Sequence, residues 1–313
     1  MQRVFAQWIS SLCCLAFLSC ASPSGDGRGR EQGQDSLRFP ELSLPIHLMA
    51  PQEQARYLVE HYWDDVDLNR PFSDEEVEDL ERKLADYIGL IQSLSAMDYT
   101  EQLLVPLKRS SEATLIPILS AYKTHLYEAG SLLASDEYYA HILQWCISSP
   151  KLTKELQTQA QGLLERVLLN RVGQEANDFV YTKIDGSKHR LLNEIAPYTL
   201  LVFATADCPS CHGLLRQISE SKQLRQSVDI GDLGVLVVYV QTTQQDYKEE
   251  QAMLPDWMGS GYDASGDILD RPLYDIKASP TIYIISRSGK VVAKDVAPEY
   301  LSSWSVKSIN NND

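Results

Sequence analysis

The stretch L-L-V-F-A-T-A-D-C-P-S-C-H-G-L-L, Leu200 to Leu215, decides how the chain is read. Its opening is an apolar, strand-forming run, and two cysteines follow where the apolar spacing turns helical. Cys208 and Cys211 make a Cys-x-x-Cys dithiol of the redox type; with His212 they also spell Cys-x-x-Cys-His, the pattern that attaches c-type haem through two thioethers. The surroundings separate the two. A cytochrome sets that motif among short helices and supplies a distal Met or His, whereas here a buried strand precedes it and a Pro-Thr pair, Pro280 and Thr281, opens a hairpin far downstream. Structural zinc would need two further ligands, and these are not grouped in the sequence. The stretch is taken as a dithiol that needs no metal and no cofactor.

At a strand-to-helix junction the first-turn amides and the positive end of the helix dipole favour an anion, so Cys208 gains thiolate character and occupies the nucleophile's position. Cys211, one turn further, lies on the same helical side and can attack a mixed disulfide on Cys208. Pro209 fits the first turn, where its missing amide is not needed.

Working outward, D-F-V-Y-T-K-I with the turn D-G-S reads as a strand and turn, G-V-L-V-V-Y-V-Q from Gly234 to Gln241 as a second buried strand, and T-I-Y-I-I with V-V-A-K as an antiparallel hairpin around S-R-S-G-K. Leu214 to Gln226 and Tyr247 to Met253 are expected to be helical, and Pro298 to open a last helix through Ser308. Buried strands joined by helices and closed by a hairpin make an α/β domain.

This combination resembles the thioredoxin fold, specifically the TlpA and ResA group of exported thiol-disulfide oxidoreductases. The lead-in Gly173, Ala176, Asp178, Phe179 and Gly186 is similar to that group's first strands. The resemblance implies that Cys208 attacks, that Cys211 resolves, and that Pro280 follows a cis peptide bond and lies against the dithiol. Ser279 and Thr281 would then present backbone to a disulfide-containing protein substrate, with an upstream thiol as electron donor. The chain departs from the group at Asp207, which stands where Trp is usual, and at Val202 and Leu214, where an Asp or Glu is often found. A negative charge beside Cys208 opposes the helix dipole and raises the thiol pKa. Asp207 and His212 are thus candidate redox-tuning residues, and His212 is expected to face solvent.

Before residue 171 the pattern is helical. Ser73 and Glu76 have the spacing of a capping box, and Val77, Leu80, Leu84, Ile88, Ile91 and Leu94 form one apolar stripe behind it. Further helices are expected over Gln52 to Asp64, Tyr99 to Lys108, Glu112 to Tyr127, Asp136 to Ile147 and Leu152 to Asn170, with Pro106 and Pro117 breaking or kinking theirs. The acidic run from Asp64 to Asp86 lacks the Asp-x-Asp-x-Asp-Gly pattern of a calcium loop and reads as a solvated helix face. Tyr138, Tyr139, His141, Trp145 and Cys146 have the spacing of helix-packing residues, with Cys146 a small buried apolar one. This half resembles a helical domain of unknown function that precedes thioredoxin-like domains in lipoproteins of Bacteroidetes-type bacteria.

The 313 residues carry a formal net charge of −15, which disfavours nucleic acid, since phosphate binding needs clustered Lys and Arg. At the N-terminus Arg3 and the short apolar run to Leu18 read as an export signal, too short for a permanent span. The ending F-L-S-C resembles a bacterial lipobox, which implies a lipid anchor on Cys20 in the cell envelope, facing the periplasm; a plain signal peptide cut nearby is the alternative. Cys13 and Cys14 would leave with the signal. The expected organisation is an α/β thioredoxin-like fold preceded by an all-α helical domain: signal 1–19, flexible tether 20–39, helical domain 40–170 and thioredoxin-like domain 171–313. Export places the dithiol where unassisted thiols oxidise, so a reductant needs a supply of electrons. The expected activity is reduction of protein disulfides; the rival reading is a binding or scaffolding lipoprotein that keeps Cys208 and Cys211 as a static disulfide.

Overall fold

The computed structural model describes residues 39, 42–94 and 100–301. The signal segment, Cys20, nearly all of the tether and the far end of the helix expected through Ser308 lie outside the described residues.

The capping box forms as the sequence predicts. Glu76 N donates to Ser73 Oγ at 3.3 Å and Ser73 N donates back to the Glu76 carboxylate at 2.9 Å, which opens α2, Asp74–Ser93. The stripe on α2 buries Leu80, Leu84, Ile88 and Ile91 completely, together with Tyr87. Around it pack α1 (Pro51–His61), α3 (Thr100–Leu103), α4 (Val105–Arg109), α5 (Glu112–Leu126), α6 (Asp136–Ser148) and α7 (Lys154–Val167). The helix expected from Tyr99 to Lys108 is broken beside Pro106, as that proline led us to expect, into the two short pieces α3 and α4; Tyr99 itself lies outside the described residues. Pro106 has no amide to donate to Gln102 O, and Tyr87 Oη fills that place at 2.7 Å; Tyr122 Oη does the same for Leu103 O. Pro117, by contrast, lies within α5, which continues through it.

The α/β half has one seven-stranded sheet in the order β2-β1-β5-β4-β3-β6-β7. Its strands are β1 (Val180–Thr182), β2 (Lys188–Arg190), β3 (Tyr198–Ala204), β4 (Leu233–Tyr239), β5 (Gly259–Tyr262), β6 (Thr281–Ser286) and β7 (Val291–Lys294). Central β3 runs parallel to β4, with Leu201 opposite Leu236, and antiparallel to β6, with Leu201 opposite Tyr283. Alternate residues of β3 enter different cores. Leu200, Val202 and Ala204 pack with Cys211, Leu214 and Ile218, while Leu201 and Phe203 pack with Phe179, Tyr274 and Tyr283. Burial on both faces is why these strands are continuous apolar runs.

Strand β5 is not apparent in the sequence, because G-S-G-Y carries no apolar run. Its glycine is steric: a Cβ on Gly261 would overlap the Tyr181 ring of neighbouring β1. The helix expected over Leu214 to Gln226 is also corrected, since the chain forms α8 (Pro209–Glu220) and α9 (Lys222–Asp229) with a break at Ser221. Ser221 Oγ accepts from Leu224 N at 3.3 Å, capping α9. Then come α10 (Gln244–Gln251), α11 (Asp267–Asp270) and α12 (Pro298–Leu301). No helix among the described residues is long and apolar enough to cross a membrane.

Candidate active site

Strand β3 ends at Ala204 and delivers the chain to the start of α8. The turn between them depends on Asp207, whose φ of 53° lies in the left-handed region. Asp and Asn enter that region more readily than other side chains with a Cβ, so the residue type suits the backbone it must adopt. Asp207 is exposed and gives Cys208 no aromatic cover.

Cys208 is the N-cap of α8, and its Sγ accepts from Cys211 N at 3.1 Å. The two sulfurs lie at disulfide distance, with Cα atoms 5.2 Å apart. The pair is asymmetric: Cys208 is half-buried, whereas Cys211 is wholly buried among Leu214, Leu215 and Ile218. Only one sulfur can meet a large partner.

The loop before β6 closes over this end of the helix. The Ser279–Pro280 peptide bond is cis. Ser279 O accepts from Ser210 Oγ at 3.1 Å and lies 3.6 Å from Cys208 Sγ. Thr281 begins β6, and its hydroxyl donates to Ala278 O. Cys208, Cys211, Ser279, Pro280 and Thr281, widely separated in sequence, thus meet at one end of the sheet, where β3 stops and β6 starts.

His212 does not simply face solvent, contrary to expectation. Its Nε2 lies 2.9 Å from a carboxylate oxygen of Glu250, a residue only 4% exposed. The same carboxylate accepts from Asp207 N at 2.9 Å. Glu250 therefore reaches both sides of the Cys-x-x-Cys segment, the backbone before Cys208 and the ring after Cys211. Sequence reasoning missed it. Val202 and Leu214, the positions inspected for a buried acid, are apolar and buried, whereas the acid arrives from α10. The available signal was periodicity: Tyr247 is buried on α10, and Glu250 follows it by three residues on the same face. The buried Tyr239 hydroxyl lies beside Glu250. Burial, and then the charge of Glu250, raise that phenol above its ordinary range. Cys146 lies in the other core, where burial pushes its thiol up to about 12. No group of three or more His, Cys, Asp or Glu among the described residues is placed to hold a metal ion.

Among solved structures the chain is similar to a thioredoxin-like protein from Bacteroides caccae, at 24% identity and a TM-score of 0.76 over 88% of this chain and 99% of that one. The fold is thioredoxin-like. The chain also matches a conserved protein of unknown function from Bacteroides fragilis, with 32% identity, a TM-score of 0.41 and coverage of 42% of this chain and 97% of that one. A thiol:disulfide interchange protein from a Bacteroides species matches at 20% identity and a TM-score of 0.40, over 45% of this chain and 91% of that one. Residues 20–170 match the model of DUF5106, a domain of unknown function. No curated protein matches the chain.

Proposed function

We propose that the protein is an exported thiol-disulfide oxidoreductase that reduces protein disulfides through Cys208 and Cys211. The observation that carries this reading is the asymmetry of the pair: a half-buried sulfur caps a helix beside the Ser279 carbonyl, and its partner is sealed beneath. In the reduced form the Cys208 thiolate attacks one sulfur of a substrate disulfide, forming a mixed disulfide and expelling a thiolate that takes up a proton. Cys211 then gives up its proton and attacks Cys208 Sγ, which closes the intramolecular disulfide and expels the second substrate thiol. Two electrons and two protons pass to the substrate, and an upstream thiol donor restores the dithiol. Ser279, Pro280 and Thr281 offer backbone to the substrate chain.

The proposed direction is reduction. Whatever stabilises the Cys208 thiolate stabilises the reduced protein and makes it an oxidant; Asp207 works against the helix dipole and in the opposite sense. Attachment through a lipidated Cys20, facing the periplasm, completes the proposal.

The purified protein is expected to reduce a model disulfide in the presence of a thiol donor, and Cys208→Ser to abolish that activity with the fold intact. Equal activity in the two proteins, or a Cys208–Cys211 pair that resists mild thiol, would instead mark a binding module with a static disulfide.

A further inference from the structure

The loop that carries the cis bond, Leu273 to Pro280, is held at successive points by the helical half. Asn170, just beyond α7, donates through Nδ2 to Leu273 O at 2.7 Å, and its Oδ1 accepts from Asn177 N at 2.7 Å. Tyr127, at the end of α5, donates its hydroxyl to Asp275 Oδ1 at 3.0 Å. Lys277 Nζ donates to Asp136 Oδ1, in the first turn of α6, at 3.2 Å and pairs with Asp295 at 2.6 Å, while lying 4.4 Å over the Tyr127 ring. Lys294 of β7 pairs with the other Asp136 oxygen at 2.6 Å and donates to Val167 O and Leu169 O at 3.2 Å.

The side chains of Lys277 and Lys294 are each only 4% exposed. A buried ammonium is costly unless its partners stand in good geometry, so each contact fixes the others. Burial lowers the Lys277 pKa, but the charges of Asp295 and Asp136 outweigh it and hold the group protonated. Lys277 stands three residues before Pro280 and two before Ser279, whose carbonyl lies 3.6 Å from Cys208 Sγ.

We propose that the helical half is a positioning module for the substrate loop, with Lys277 and Asp136 as its keystone. This rests on the reading of Cys208 and Cys211 as a disulfide-reducing pair. Among the described residues none of the helical half hydrogen-bonds either sulfur; its part is to set the backbone against which a protein disulfide must lie. A small aromatic disulfide, which needs no such backbone, is indifferent to it.

The full chain tests this with Asp136→Asn, Lys277→Met and the milder Tyr127→Phe, the last keeping the aromatic face. Each is expected to raise KM for a disulfide-containing protein, by about tenfold for the first two and less for Tyr127→Phe, with kcat and the rate toward a small aromatic disulfide within about twofold of wild type. Lys277→Arg recovers part of the loss. Amide hydrogen exchange over residues 276–281 quickens in the same order. An unchanged KM in the folded variants overturns the proposal, and if the first two do not fold, Tyr127→Phe decides. Should the wild type reduce no disulfide, the functional reading fails by itself; exchange then decides the positioning claim, and unchanged rates over 276–281 overturn it.

Discussion

Asp207 combines two roles in one residue. Its backbone takes the left-handed turn that ends β3 and starts α8, and its carboxylate stands in solvent beside Cys208. Because it is exposed, its field at Cys208 is screened by water and salt. Asp207→Asn keeps a side chain that tolerates the same turn and removes only the charge. It is expected to lower the Cys208 thiol pKa and raise the reduction potential of the pair, with a larger effect at low than at high ionic strength; thiolate absorbance and equilibration with glutathione measure the two. A potential that does not move would show that the charge does not tune the site. Cys146 offers the opposite chemistry. With its thiol buried and pushed up to about 12, it should remain unalkylated in the native protein while reduced Cys208 reacts, and mass spectrometry after iodoacetamide treatment distinguishes them.

Elements differ in how openly the sequence announces them. Strands β3, β4 and β6 were legible because a strand buried on both faces must be apolar throughout, and α2 because its cap and its stripe agree. Strand β5 was hidden, since what places Gly261 is the ring of Tyr181 across the sheet rather than any local preference. The break at Ser221 was missed because the apolar spacing continues across it, and only the capping serine marks a new start. At the site, Cys208, Cys211 and Pro280 were legible through spacing and resemblance. Glu250 was not, because in K-E-E-Q an acid on the buried face looks like its exposed neighbours. Its packing makes a prediction for α10 and α8 together. Glu250→Ala leaves the Asp207 amide and the His212 ring without their shared acceptor and should destabilise the fold by about 1–3 kcal/mol, read as a lower denaturant midpoint at unchanged slope.

The whole molecule joins a helical half with its own core to a thioredoxin-like half whose sheet is packed on both faces. Between them run buried ion pairs, and these end at the loop that faces the cysteines. The arrangement leaves one sulfur half-buried at a helix start and seals the other beneath it, the asymmetry on which the proposed reduction of protein disulfides rests. The most direct measurement is thiol-dependent reduction of a model protein disulfide by the purified protein, its Cys208→Ser variant and its Cys211→Ser variant. The account predicts turnover by the wild type, none by Cys208→Ser, and a stalled mixed disulfide on Cys208 in Cys211→Ser. Turnover by Cys208→Ser equal to that of the wild type would contradict it.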